Sequence, residues 1–177
     1  MIVSVEKLRS QVDCGDLTDE VISSRLEAIE SVVREYTHNN FQQRFVRFAA
    51  ISTGNELIGD SSFFKAGDTV QISQSKVNDG LYTVISVEDN RLIVDAELNF
   101  STYNLVTKIQ YPYDVVQVAV DLFEWKQKYG GKIGVKSESE TLSRHSESVT
   151  YEDSATLFMG YPTGILRGLN LHRKARF

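Results

Sequence analysis

The sequence predicts an α+β protein in which a small helical bundle is interrupted by an inserted small antiparallel β-barrel and extended by a polar arm. Three observations predict this organisation. Apolar residues recur at helical spacing before residue 48 and again after Pro112. Between these blocks, apolar and polar residues alternate, as they do in strands. A third segment, residues 134–153, is dense in Ser, Glu and Thr and has few large apolar residues.

The first block, residues 1–48, has the pattern of a long amphipathic helix preceded by a short helix from Ser4 to Gln11. Residues 16–18 offer N-cap side chains, and acids follow in the first turn, where the helix dipole favours anions. We expect the long helix to end near residues 38–40. Its apolar residues recur at spacings of four and three and form one stripe, Ile22, Leu26, Ile29, Val33 and Tyr36.

The second block, residues 49–111, has the period of strands. Val70 and Ile72 alternate with polar residues, and the runs LYTVISV (81–87) and RLIV (91–94) are rich in β-branched residues. Turn-forming residues separate these runs. About four to six short strands at this spacing predict a small β-barrel. Because helical blocks lie on both sides, we expect this barrel to be an insertion into a helical domain.

The third block returns to the helical period. Pro112 suits the first turn of a helix, and Gly130 or Gly131 suits its end. The apolar face of this helix is wide, which predicts a central position in the helical core. An extended or hairpin arm follows, and a short helix closes the chain. The predicted domains are therefore residues 1–48 with 112–177, with 134–153 as the arm, and residues 49–111.

Composition and motifs give no sign of a catalytic, metal or cofactor site. The net charge of −5 gives no general affinity for nucleic acid or for an anionic membrane. No apolar run approaches the roughly 20 residues of a membrane span, and the N-terminus lacks the pattern of a signal peptide. His38, His145 and His172 are isolated from other metal ligands. The single cysteine, Cys14, fits a reducing compartment.

The two outer blocks resemble the head–tail connector, or adaptor, proteins of long-tailed double-stranded DNA phages and their prophages. Residues 17–41, LTDEVISSRLEAIESVVREYTHNNF, share an acidic opening, a long helix and an E-Y-T followed by Asn and Phe. Pro112 then opens a second long helix that ends in an aromatic residue and glycines. The later motifs are G-V-K-S-E-S at 134–139, S-V-T-Y at 148–151, G-Y-P at 160–162, I-L-R-G-L at 165–169 and a basic end with Phe177.

The β segment at 49–111 departs from the compact members of this family, which have a tight turn at that point. In carrying extra β structure, the chain is similar to larger prophage-type relatives in Gram-positive bacteria. The departure bears on which surface lines a ring and on what the insert contacts. It leaves the flanking resemblance unchanged.

This resemblance implies a structural virion protein and not an enzyme. Such proteins bind beneath the portal ring, commonly as a ring of about twelve copies, extend the DNA channel and offer a docking surface for the stopper or tail. The implied partners are the portal protein, the stopper or tail-completion protein and further copies of the chain. Double-stranded DNA passes without specific binding, and no membrane or cofactor is involved. The implied location is the head–tail interface, reached from the host cytoplasm.

Two sets of residues are expected to make these contacts. The basic, aromatic-ended tail is expected to face the portal and pair with its acids. The polar arm is expected to lie along a neighbouring subunit and to become ordered in the ring. The portal-binding set is Arg167, Leu169, Arg173, Lys174, Arg176 and Phe177, and the arm set is Lys136, Glu138, Glu140, Arg144, Glu147 and Tyr151.

Several questions stay open at the level of sequence. The insert has eight acids and four bases, and it either decorates the outside of the ring or lines the channel. Trp125 suits the edge of a core and an interface equally well. The alternative function is a small β-barrel module that binds nucleic acid or protein without a virion role. The acidity of the insert, and aromatic residues that are not interleaved with bases, argue against nucleic acid.

Overall fold

A computed structural model shows a chain that divides into two compact units. Unit 1 comprises residues 1–2 and 39–112, and unit 2 comprises residues 3–38 and those that follow residue 112. In the part of the chain that the structure describes, no helix is long and apolar enough to cross a membrane. The described residues are 1–130, 137–142, 145–150 and 157–175.

Helices and strands follow one another in three groups along the chain. The first group is helix α1 (Val5–Arg9) and helix α2 (Asp19–Thr37). The second is β1 (Gln42–Ile58), β2 (Thr69–Ser73), β3 (Gly80–Glu88) and β4 (Arg91–Ile109). The third is α3 (Tyr113–Tyr129), β5 (Ser137–Leu142), β6 (His145–Thr150), β7 (Leu157–Phe158), β8 (Tyr161–Pro162), α4 (Thr163–Leu166) and a closing 3₁₀ helix (Arg167–His172).

Helix α2 has local signals at both of its ends. The hydroxyl of Thr18 accepts a hydrogen bond from the backbone N–H of Val21, and acids occupy the first turn. At the other end, His38 adopts the left-handed conformation, with φ of 51°. A residue in that conformation ends a helix, because it turns the chain away from the helical path.

The core of unit 2 forms between α2, α3, α4 and the closing 3₁₀ helix. Leu26 on α2, Phe123 on α3 and Leu166 on α4 are fully buried. Of the predicted stripe on α2, only Tyr36 remains half-buried. The other fully buried apolar residues of this core are Leu8, Ile22, Ile29, Val33, Val115, Ala119, Leu122 and Leu169.

Unit 1 is built on a four-stranded antiparallel sheet in the order β1-β4-β2-β3. Strand β4 is long enough to pair with three others: its first residues pair with β3, its last residues pair with β2, and β1 lies along its whole length. One face of the sheet carries the core of this unit. Its buried members are Ala50, Leu57, Phe64, Val70, Ile72, Val84, Leu92, Val94, Leu98 and Val106.

The prediction of a helical bundle with an inserted β-barrel is wrong. The structure is dominated by the four-stranded antiparallel sheet, with a few short helices, and over the described residues the sheet does not close. A barrel has no free edge, whereas here β1 pairs with β4 alone and no β1–β3 pairing completes the circle. The helical part is not a bundle because α1 and α4 span only 5 and 4 residues.

The sequence predicted shorter strands than the structure has, and irregularities within the two long strands explain the difference. Strand β1 has 17 residues and begins at Gln42, and β4 has 19. Their register shifts at four places along the ladder. Gly54, which reads as a turn residue in the sequence, adopts φ of 58° inside β1. Bulges absorb such residues and bend the strands without ending them.

A buried amide network joins the two long strands to the loop that follows β2. The side-chain nitrogen of Asn78 donates to the hydroxyl of Ser52 at 3.0 Å and to the backbone oxygen of Asn99 at 2.8 Å. Its oxygen accepts the backbone N–H of Asn99 at 2.9 Å. The side-chain oxygen of Asn104 lies 3.2 Å from the Asn78 nitrogen, and the side-chain nitrogen of Asn104 donates in turn to the backbone oxygen of Ala50. Asn78, Asn104 and Ser52 are all buried.

We expect Asn78→Ala to lower the free energy of unfolding of unit 1 by about 2–3 kcal/mol, because it leaves buried backbone and side-chain groups without partners. Asn99→Ala is the matched control, since its side chain is exposed, and it should change stability by less than about 0.5 kcal/mol. Hydrogen exchange of peptides from β1 and β4 measures the effect. Equal protection in the two variants would show that the network does not hold the ladder.

Candidate partner interface

The chain closes with a short segment that is fixed to unit 2 by apolar side chains. Leu166 and Leu169 are fully buried. The two lie three residues apart, which is one turn of a 3₁₀ helix, so they point to the same side. The closing segment, defined as Arg167 to Lys174, is thereby anchored at its start.

Tyr36, near the end of α2, holds the second half of the closing segment. Its hydroxyl donates to the side-chain oxygen of Asn170 at 3.0 Å. The guanidinium of Arg173 lies 5.1 Å from the centre of its ring, and Phe158 meets the ring edge-on at 5.4 Å. A cation over an aromatic face is attracted by the ring quadrupole, so Arg173 is oriented and stays exposed.

The end of α2 also binds the backbone of the closing segment. The N–H of Lys174 donates to the backbone oxygen of Thr37 at 2.8 Å. Carbonyl groups in the last turn of a helix lack partners within the helix, and this bond satisfies one of them. The negative end of the helix dipole also favours the cations of Arg173 and Lys174.

His172 fixes the segment to the start of α3. Its Nε2 lies 2.6 Å from Oδ2 of Asp114. This hydrogen bond lowers the pKa of Asp114 below its ordinary value. Asp114 lies in the first turn of α3, where a negative charge is favourable.

The closing segment presents three cations and one apolar side chain to solvent. Arg167, Arg173 and Lys174, which belong to the predicted portal-binding set, are exposed. Leu169 of that set is buried, so it anchors the segment and makes no external contact. Leu171, which the sequence analysis missed, is 92% exposed. The other two predicted residues, Arg176 and Phe177, lie outside the described residues.

The predicted arm contains two paired strands. Strands β5 and β6 are antiparallel, with Glu140 opposite Glu147 and Glu138 opposite Val149. Three residues of the predicted arm set lie outside the described residues, namely Lys136, Arg144 and Tyr151.

Trp125 sits in an aromatic group on unit 2. Its ring centre is 6.2 Å from those of Tyr129 and Tyr161. Tyr161 is 6% exposed, and burial raises the pKa of its hydroxyl. Trp125 itself is half-buried and lies at the edge of the unit 2 core.

Neither a metal site nor a related protein identifies the chain. Among the described residues, no three His, Cys, Asp or Glu side chains cluster in a way that could hold a metal ion. No protein-family model matches the chain, and no curated protein matches it either.

We expect Leu169→Ala to destabilise unit 2 by about 2–5 kcal/mol, because it leaves a cavity in the core. Leu171→Ala removes the same atoms from an exposed site and should change stability by less than about 0.5 kcal/mol. Urea unfolding followed by the fluorescence of Trp125, the single tryptophan, measures both. Similar midpoints for the two variants would contradict the anchoring role of Leu169.

The Asp114–His172 pair predicts a pH dependence of stability. Because the pKa of Asp114 is lowered in the folded state, its contribution is fully present above the unfolded value of about 3.9 and is lost as pH falls through the folded value. The stability difference between the parent and Asp114→Asn should therefore narrow below about pH 4. The carboxylate is exposed, so the difference should stay under about 1 kcal/mol.

Thermal unfolding between pH 3 and 6 measures this difference. His172→Ala removes the same hydrogen bond and should show the same pH profile as Asp114→Asn. A constant difference between the parent and Asp114→Asn across that range would contradict the assignment.

Proposed function

We propose that this chain is a head–tail connector of a long-tailed double-stranded DNA phage or prophage, and that its closing segment binds the portal ring. The observation that carries the proposal is the fixed geometry of that segment: Leu169 is buried, while Arg167, Leu171, Arg173 and Lys174 are exposed. The resemblance of the two outer blocks to connector proteins supplies the identity of the partner.

The exposed groups of the segment combine three cations with one apolar side chain. Cations that meet carboxylates across an interface form short, charge-assisted hydrogen bonds, and the exposed Leu171 adds an apolar anchor between them. Because Tyr36, Thr37 and Asp114 already hold the segment, binding orders fewer groups. Pre-ordering of this kind lowers the entropic penalty of association.

The arm and the insert have separate roles in the proposal. The β5–β6 pair is the element that reaches along a neighbouring copy in the ring. The insert decorates the outside of the ring or lines the DNA channel. Asp68 contributes little to a channel surface, because its carboxylate pairs with Lys108 at 2.5 Å and both side chains are largely buried. Asp89 and Asp95 are exposed. Their substitution therefore distinguishes an insert on the outside of the ring from an insert that lines the DNA channel.

We expect Lys174→Glu to weaken binding to the portal protein of the source phage or prophage by about tenfold or more, through lost attraction and new repulsion. Only the backbone of Lys174 holds the fold in the contacts described, so the fold should be unchanged. Lys128→Glu is the matched control, because Lys128 is also exposed on unit 2. Affinity is measured by surface-immobilised portal rings at two salt concentrations, since screening weakens such pairs.

A lysate from a phage lacking this gene tests the proposal as a whole. We expect electron microscopy to show filled or leaking heads beside complete free tails. Intact infectious particles would overturn the connector role. Equal portal affinity of Lys174→Glu and Lys128→Glu would overturn the assignment of the closing segment while leaving the connector role to be judged by the lysate.

A further inference from the structure

Strand β1 carries a fully exposed phenylalanine near its start. Phe45 has a relative exposure of 102%. Gln42 pairs with Ile109 and Arg47 pairs with Thr107, so the four β1 residues 43–46 lie opposite a single β4 residue. A bulge of this kind re-aims side chains. Phe45 is therefore turned into solvent.

Two cations flank this phenylalanine. Arg44 and Arg47 are exposed, and in the described part of the chain neither guanidinium group has an ion-pair or hydrogen-bond partner. The neighbouring Val46 packs against the unit 1 core, so the core does not need Phe45. We call Arg44, Phe45 and Arg47 the knob. An exposed aromatic residue beside arginines has the composition of an interface hot spot.

An open pocket of about 450 Å³ lies farther along the same ladder. Its apolar lining comes from Ile85 and Ala96, and its acids are Asp95 and Glu97. The pocket exists because β4 is bulged there: four β4 residues, 94–97, lie opposite one β1 residue. We call it the acidic pocket.

We propose that the knob of one copy inserts into the acidic pocket of a second copy. Phe45 is fully exposed and so does not fill the pocket of its own chain. Its ring matches the apolar lining, and the two guanidinium groups match the two carboxylates. Knob and pocket are different surfaces, so the contact is head-to-tail and can close into a ring. The assignment of this contact to a ring rests on the proposed function. The contact itself requires only two copies of the chain.

A second copy fits these surfaces better than a nucleic acid does. Unit 1 has eight acidic and six basic side chains, and two of the bases, Arg91 and Lys108, pair with acids. Affinity for a nucleic acid depends on unpaired cations facing phosphates. The carboxylates of the acidic pocket repel phosphates and attract the knob.

Cysteine cross-linking tests the contact directly. Cys14, the single cysteine, is first replaced by alanine. Treatment of Gln43→Cys/Ala96→Cys, which keeps the knob intact, with a short thiol cross-linker should then give a ladder of three and more linked copies. A mixture of the two single variants should give a linked dimer that neither single variant gives alone. Absence of the ladder, or equally efficient dimers from Gln43→Cys alone, would overturn the proposal.

Charge exchange gives an independent test in sedimentation experiments. Phe45→Ala should lower the association constant by about thirtyfold, the size expected for a hot-spot residue. Arg44→Glu/Arg47→Glu should abolish association, and adding Asn55→Lys/Glu97→Lys to the same chain should restore it. The second pair of substitutions keeps Asp95, which accepts the backbone N–H of Thr83. No restoration would contradict the pairing.

Two further results separate this contact from other interpretations. Binding of an oligothymidine at physiological salt that depends on Phe45 would overturn the proposal in favour of a nucleic-acid surface. Loss of the cross-linked ladder with normal portal affinity would remove the copy–copy contact and leave the connector role standing. A normal ladder with no portal affinity would do the reverse.

Discussion

The side chain of Asn78 supplies the hydrogen bonds on which the long β1–β4 ladder depends. Bulges leave backbone groups of β4 without partners on the neighbouring strand, and the N–H and oxygen of Asn99 are such groups. The Asn78 amide satisfies both, and it does so from a loop that belongs to neither strand. Buried polar groups are tolerated only when they are paired. The amide therefore allows two strands of 17 and 19 residues to continue through several register shifts.

The knob and the acidic pocket follow from the same irregularities. Each lies where the count of residues on β1 and β4 differs, with Phe45 in an excess on β1 and Asp95 in an excess on β4. In a regular ladder, strand alternation alone would set the direction of the Phe45 side chain. There would also be no opening beside Val94. Bulges re-aim side chains at the cost of lost pairing. In unit 1 that loss is compensated by the buried amides.

Helical period and end signals were sufficient to predict α2, because its apolar stripe and Thr18 cap are local features. The long strands were not predictable in this way, since Gly54 and Asn99 give turn signals that only pairing across the sheet overrides. Phe45 fell inside the block predicted as helical, so its exposure could not be recognised. Leu169 was assigned to the portal-facing tail because of the basic, aromatic-ended terminus and the family resemblance. The 3₁₀ spacing from Leu166 buries Leu169 and exposes Leu171.

The two units differ in how they present their contact groups. In unit 2, the closing segment is held by a buried leucine and by the last turn of α2, so its cations are exposed on a rigid base. In unit 1, the knob stands on an edge strand, and its neighbours Val46 and Phe48 supply the packing that fixes it. In both cases the fold uses one set of residues for stability and leaves an adjacent set for contact. Under the two proposals, substitutions at Phe45, Leu171 or Lys174 are therefore expected to act on association, whereas those at Asn78 or Leu169 are expected to act on folding.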